Sequence, residues 1–350
     1  MSVSVAHNPA LLSLTPAGLY CEAGDFYIDP WRSVDRAIIT HAHSDHARWG
    51  MRRYLCAEPG FGVMRQRLGA EAAIDSVPYG EPLRMGSARV SLHPAGHIIG
   101  SAQVRIEVGG EVAVVSGDYK VAADPTCQPF EPIRCDTFVS ECTFGLPIYR
   151  WRPDAEIFAE INAWWARNRA AGRVSLLTGY ALGKAQRGLS GVDPSIGNIY
   201  CHGAVQAMNR LYREAGVNLP DTRLVSEATN RAELEGALVV APPSAVGTPW
   251  TRRFGDASVA FMSGWMAIRG TRRRRGVEAG FVLSDHTDWP ELLETVAATG
   301  ASRVWLTHGY TETSARYLRE LGHWAEVLST EWQGESDVVE ETTLGAEGVA

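Results

Sequence analysis

Lysine is nearly absent from this 350-residue chain: of its 33 basic residues, only Lys120 and Lys184 are lysines. Nearly all positive charge is therefore guanidinium, which suits bidentate phosphate contacts but also follows from a GC-rich genome, so it selects no partner by itself. Cysteine is sparse as well. The six residues, Cys21, Cys56, Cys127, Cys135, Cys142 and Cys201, form no CxxC pair. That argues against a cysteine-based zinc site and a disulfide framework, leaving buried thiols as the expectation. No apolar run approaches the roughly 18 residues of a membrane span. The N-terminus MSVSVAHNPALLSL lacks the basic start, apolar stretch and cleavage site of a signal peptide. A cytoplasmic protein without a membrane partner is expected.

At 350 residues, 45% of them apolar, the chain can bury a sizeable core, as about two domains or one large domain carrying an insertion. The net charge of −7 is unevenly spread. Residues 331–350 hold six acids and no base, so residues 1–330 sum to −1. The acidic end lacks periodicity and is expected to form a flexible tail. The near-neutral remainder leaves nucleic acid open as a substrate.

The first third reads as strands with short loops. RAIIT (Arg36–Thr40) is an apolar run ending at a histidine cluster, and Val104–Val108 with Val112–Ser116, joined through Gly109-Gly110, predicts a hairpin. After Arg150 the pattern changes. Helical stretches at Asp154–Arg169, from about Lys184, and at His202–Ala215 alternate with strand-like runs at Val174–Thr178, Ala237–Ala241 and Ser258–Met262, which predicts βαβ units and a parallel sheet. Gly280–Leu283 and Arg303–Thr307 read as strands flanking a helix at about Pro290–Thr299. Arg272–Arg275 reads as a solvated charge run, with nucleic-acid backbone contact as the sharper alternative.

The chemistry concentrates in His41-Ala-His43-Ser-Asp45-His46, which places three of ten histidines within six positions directly after a strand. Imidazoles and carboxylates on one tight loop are ligands for borderline divalent metals, zinc above all. One loop cannot complete two metal shells. His97 in HPAGHIIGSA, Asp118 after VAVVSG and His308 after VWLT stand at further strand ends and are the candidates to complete them.

Together HAHSDH, AGHIIGSA, SGDYK and LTHG resemble the metal-binding series of the metallo-β-lactamase superfamily. Glu141 after FVS, His286 in SDHTDW and His308 in THG resemble the additional motifs of the β-CASP nucleases, as does GYALGKAQ, over roughly residues 12–325. The wording GLY…FYIDP…VDRAIITHAHSDHA is most similar to the bacterial DNA ligase-associated exonucleases. The resemblance implies an α/β fold: an αββα sandwich from 1–148 and 280–330, a β-CASP domain over 149–279, and the acidic tail 331–350. It implies one metal held by His41, His43, His97 and Asp118. A second is held by Asp45, His46, Asp118 and His308, with Asp118 bridging. His286 is implied near the scissile phosphate, assisting the leaving group, with Glu141 orienting a ligand or His286. Histidine at 308, where the DNA crosslink-repair branch usually carries valine, implies a complete second site, as in the RNA-processing branch.

Such a ligand set implies two divalent ions, zinc bound and manganese an option for turnover, sharing a hydroxide for in-line attack on phosphorus. Lys184, with Gln186 or Arg187 at a helix start, is the candidate grip on a substrate phosphate, against a solvated helix start. The expected function is a DNA exonuclease acting on single-stranded ends in repair, with 5′ polarity. A DNA ligase or helicase is suggested as partner by the resemblance alone. The rivals are a β-CASP ribonuclease, a non-nucleolytic metallo-hydrolase and a metal-free scaffold.

Overall fold

The computed structural model describes residues 11–270 and 276–332. The arginine run 272–275 and residues 333–350 lie outside them.

Six short strands open the chain: β1 (Ser13–Thr15), β2 (Gly18–Cys21), β3 (Phe26–Ile28), β4 (Arg36–Ile38), β5 (Arg53–Ala57) and β6 (Ile74–Val77), paired in chain order in one sheet. A second sheet begins with β7 (Leu83–Met85), β8 (Ala88–Pro94), β9 (Ala102–Val108), β10 (Glu111–Val115) and β11 (Thr137–Glu141). It is antiparallel from β7 to β10 and parallel beyond. The predicted hairpin is β9–β10, closed by Gly109 and Gly110 at φ 60° and 90°, values that a tight two-residue turn requires and glycine adopts without strain.

Alternation along these strands builds the layers. Ala113 and Val115 face Leu19, Phe26 and Ile38 of the first sheet, while Val114 between them faces outward toward Trp289, Leu292 and Val296. Ala37 and Ile39 likewise point away from Ile38, onto Val63 and Met64 of the helix Phe61–Leu68. A strand buried on both faces reads as a continuous apolar run. Helix, sheet, sheet and helix therefore stack as an αββα sandwich.

After β11 the chain leaves for a second unit. There β12 (Ser175–Thr178), β13 (Ile199–Cys201), β14 (Arg223–Leu224), β15 (Leu238–Ala241), β16 (Ser258–Met262) and β17 (Ala279–Phe281) form a wholly parallel sheet in the order β14-β13-β15-β12-β16-β17. Helices Asp154–Ala170, Lys184–Ser190 and Gly203–Glu214 accompany it. The chain then returns to the sandwich through helix Trp289–Thr299, β18 (Arg303–Thr307) on β11, helix Thr311–Glu320 and β19 (Trp324–Val327) on β18.

Two expected boundaries need correction. A break between 279 and 280 would cut β17, whose pairing with β16 carries the inserted unit on to Phe281. At the acidic end, Glu331 and Trp332 are not part of a free tail. The Glu331 carboxylate accepts from Arg32, and Trp332 is buried. Helix Thr311–Glu320 was also not anticipated, because its inward face needs only Ser314, Ala315 and Leu318. No helix among the described residues is long and apolar enough to cross a membrane.

Truncating Leu92, fully buried between the two sheets, to alanine should cost about 2–5 kcal/mol in a urea titration. Arg89→Ala, on the exposed face of the same strand, should stay within about 0.5 kcal/mol.

Candidate metal centre

Six segments leaving strand ends converge on one pocket at the edge of the sandwich. After β4, the Ile39 amide still donates to Leu55, and Thr40 is the first residue free of the ladder. Thr40 donates to the Asp29 carboxylate twice, from its amide at 2.8 Å and its hydroxyl at 2.6 Å. This anchor starts the loop that carries His41, His43, Asp45 and His46. Gly117 lies against it at φ 58°, and a Cβ there would sit 2.6 Å from the Thr40 Cβ. Only glycine lets the turn before Asp118 approach this closely.

The ligand atoms fall into two groups. His41, His43, His97 and Asp118 each offer one atom to a set lying within 4.8 Å of one another, as do Asp45, His46 and His308. Asp118 Oδ2 is 3.5 Å from His41 Nε2 and 3.8 Å from His97 Nε2, and His97 Nε2 is 3.1 Å from His43 Nδ1. The other oxygen, Oδ1, is 3.7 Å from His46 Nε2 and 4.0 Å from His308 Nδ1, while Asp45 Oδ2 is 3.6 Å from His46 Nε2. Ligands about 2.0–2.1 Å from a tetrahedral zinc stand roughly 3.4 Å apart, close to these separations. Asp118 divides its two oxygens between the groups.

Four buried atoms test the fit. His41 Nε2, His46 Nε2, Asp118 Oδ1 and His308 Nδ1 have no hydrogen-bond partner, yet all face the same pocket. Buried polar atoms left unsatisfied cost about 1–3 kcal/mol each. Imidazole and carboxylate donors converging without partners suit divalent cations, so the residues fit the metal that their chemistry implies.

The far nitrogens explain the ring orientations. Thr40 Oγ1 lies 3.1 Å from His41 Nδ1, Leu182 O accepts from His43 Nε2 at 3.2 Å, and Asp285 O accepts from His97 Nδ1 at 2.8 Å. The Asp29 carboxylate meets His46 Nδ1 at 2.7 Å. Such partners set ring orientation and ligand basicity. Burial holds His41, His43 and His97 below the ordinary imidazole range, His43 at about 4, which keeps them as neutral ligands. Burial also resists protonation of His46, but the Asp45, Asp118 and Asp29 carboxylates outweigh it.

Beside these ligands His286 meets both oxygens of Glu141, Nδ1 lying 2.9 and 3.0 Å away. Glu141 is completed by the Tyr119 amide and the Thr143 hydroxyl. Burial opposes charge on both partners, yet their mutual attraction prevails: His286 is lifted to about 10 and Glu141 is lowered. The pairing with Glu141 therefore favours the protonated form of His286.

Lys184, Gln186 and Arg187 require correction. All three are buried, with Lys184 and Gln186 fully enclosed. Lys184 pairs with Asp285 at 2.9 Å. Gln186 accepts from the Gly183 amide and donates to Ala181 and Asn209, while Arg187 pairs with Asp124 and Asp154. Lys184 and Arg187 join the inserted unit to the sandwich, Gln186 is bonded within the inserted unit, and none of the three lies at the surface. Sequence reasoning also missed Asp29, Thr40, Leu182 and Asp285. Asp29 carried a signal, a carboxylate at the end of β3 like those at the other strand ends. Leu182 and Asp285 act on the rings through backbone carbonyls and carried none.

No family profile matches the chain. A protein of Opitutus terrae named Probable DNA ligase is 32% identical over 307 residues, 87% of this chain and 30% of its own length. Endoribonuclease ysh-1 of Neurospora crassa is 30% identical over 116 residues, 32% of this chain and 13% of its own. This chain thus spans less than a third of either relative. The crystal structure of a protein of unknown function from Enterococcus faecalis V583 matches with a TM-score of 0.59 at 10% identity, covering 85% of this chain and 80% of that one. That likeness concerns the fold alone.

Replacing Arg187 by methionine should strand the buried carboxylate of Asp124. Thermal or urea unfolding should register a loss of about 3–5 kcal/mol. Unchanged stability with weakened nucleic-acid binding would restore the phosphate-gripping role.

Proposed function

We propose that this chain is a metal-dependent phosphodiesterase that shortens single-stranded DNA from its 5′ end in DNA repair. The relatives suggest a nuclease of the metallo-β-lactamase and β-CASP kind, and one observation carries the chemistry. Asp118 divides its two oxygens between two converging donor sets, with the Glu141–His286 pair in the same pocket. His41, His43, His97 and Asp118 would hold one divalent cation, and Asp45, His46, Asp118 and His308 the other. Zinc suits these donors, with manganese an alternative for turnover. Bound there, such ions supply Lewis-acid neutralisation of phosphoryl charge and a nucleophile at neutral pH.

The remaining work falls to side chains. Glu141 occupies His286 Nδ1, which leaves Nε2 on the side of Asp285, 3.9 Å from its Oδ1. Trp151 Nε1 donates to the His286 carbonyl at 2.9 Å and fixes the loop. A protonated His286 would donate from Nε2 to the departing sugar oxygen. Around Phe144, whose ring centre is 5.9 Å from that of His286, the half-buried rings of Trp151 and Trp265 cluster, with Tyr310 beyond Trp265. Aromatic faces beside a cleavage site suit single strands, whose bases stack without sequence preference.

DNA is favoured because the relative matching 87% of this chain is named Probable DNA ligase, while the endoribonuclease matches 32% of it. A DNA ligase is accordingly the partner class we favour, and a helicase rests on the sequence resemblance alone. The second reading, a ribonuclease, draws on the endoribonuclease relative and on the full donor set at His308.

End-labelled single-stranded DNA and RNA of one sequence, incubated with manganese or zinc and resolved on a denaturing gel, test both readings. Stepwise shortening of DNA with RNA intact is expected, and Asp45→Ala should abolish it. RNA cleavage with DNA intact would overturn the DNA reading. His286→Ala should lower kcat by on the order of 10²–10⁴-fold with metal content unchanged. An unaltered rate would remove His286 from the chemistry.

A further inference from the structure

His308 differs from the other four ligand histidines. Each of those has its far nitrogen met by a neighbour: Thr40, Leu182, Asp29 or Asp285. Neither ring nitrogen of His308 has a hydrogen-bond partner. Its backbone is held in the left-handed region at φ 59°, with its carbonyl accepting from Cys142 Sγ, but those constraints leave ring rotation open. Something else must fix the ring plane.

Trp332 lies against it. The indole is 5.3 Å from the His308 ring with planes 9° apart, and 5.5 Å from the His46 ring with planes 17° apart. The two imidazoles are themselves stacked at 5.2 Å and 22°, so three nearly parallel rings share one contact. Trp31 closes the free side edge-on at 5.8 Å. Trp332 Nε1 donates to the carbonyl of Asp29, whose carboxylate holds His46.

The segment that brings Trp332 here is tied down at each step. Leu328 donates to Leu306, Thr330 and Thr307 join hydroxyls at 2.8 Å, Arg48 donates to the Glu331 carbonyl at 2.7 Å, and Arg32 reaches its carboxylate at 2.8 Å. Arg48 belongs to the loop just after His46, so the ligand loop and this segment fasten each other.

We infer that Trp332 is a positioning residue for the Asp45–His46–His308 donor set, stacking on His308 where the other ligand histidines are held by hydrogen bonds. The inference rests on the two-metal reading. It assigns the segment after β19 to the site and makes the second cation, not the first, depend on it. Offset stacking of an aromatic face on an imidazole restricts rotation out of the shared plane while leaving the ligand nitrogen exposed.

The test is zinc titration of the full-length protein, stripped by chelator, followed by calorimetry and by elemental analysis after dialysis. Wild type should take up two equivalents. Trp332→Leu, which fills space without a stacking face, should bind the first as wild type does and the second on the order of 10–100-fold more weakly. Trp332→Phe should largely restore it. Two equivalents bound by Trp332→Leu with wild-type affinity would overturn the inference. So would equal weakening of both, which would mark Trp332 as part of the fold and not of one donor set. A wild-type protein taking up fewer than two equivalents would overturn the two-metal reading itself, an outcome visible before any substitution is made.

Discussion

A carboxylate buried among imidazoles is the constraint that organises this protein. Asp118 is 3% exposed, and removing such a group from water costs several kcal/mol unless positive charge faces it. Burial, reinforced by Glu141, raises its affinity for a proton despite the opposing pull of His46. Divalent cations held there, as proposed, would offset that cost more fully than protons, because each would be met by several donors at once. The sandwich is built to hold this arrangement. Strand ends from both of its sheets deliver the ligands, and the anchoring residues lie at strand ends or in the adjoining loops.

The inserted unit belongs to the same arrangement. Its loop after β12 supplies Leu182 O to His43, and Lys184 pairs with Asp285, whose carbonyl holds His97. Arg187 reaches across to Asp124, in the loop after Asp118. These contacts are buried, and each joins the parallel sheet's unit to the ligand-bearing one. Breaking either ion pair would leave an uncompensated charge inside. The two units therefore meet at the donor sets as one body.

Legibility in the sequence followed the kind of atom involved. The convergence of His41, His43, Asp45, His46, His97, Asp118 and His308 was legible as ligand-type side chains at successive strand ends, and the structure gathers all seven. Glu141 and His286, far apart in sequence, meet as a hydrogen-bonded pair. The parallel sheet and the hairpin at Gly109-Gly110 were readable from periodicity and turn chemistry. What escaped were supports made by backbone carbonyls, as at Leu182 and Asp285, and by ring stacking, as at Trp332. A carbonyl carries no residue signature, and a lone tryptophan in an acidic stretch reads as part of that stretch. Lys184 and Arg187 failed for the opposite reason. A cation at a helix start looks the same in sequence whether it faces solvent or a buried carboxylate.

That failure bears on how a nucleic acid would be recognised. Lys120, Lys184 and Arg187 are buried, so these three do not line a surface that a phosphate backbone would meet. On the proposed reading, bound cations would attract the scissile phosphate, and the half-buried rings of Trp151 and Trp265 would stack on neighbouring bases. The metal centre then has little say in the choice between DNA and RNA. Both present the same phosphodiester, and they differ at the 2′-hydroxyl, which only sugar contacts can read. The histidine at 308 would complete a donor set for a cation facing phosphate, so it bears on the choice of polymer only through its resemblance to the RNA-processing branch. On the proposed reading, discrimination would therefore fall to whichever side chains meet the sugar.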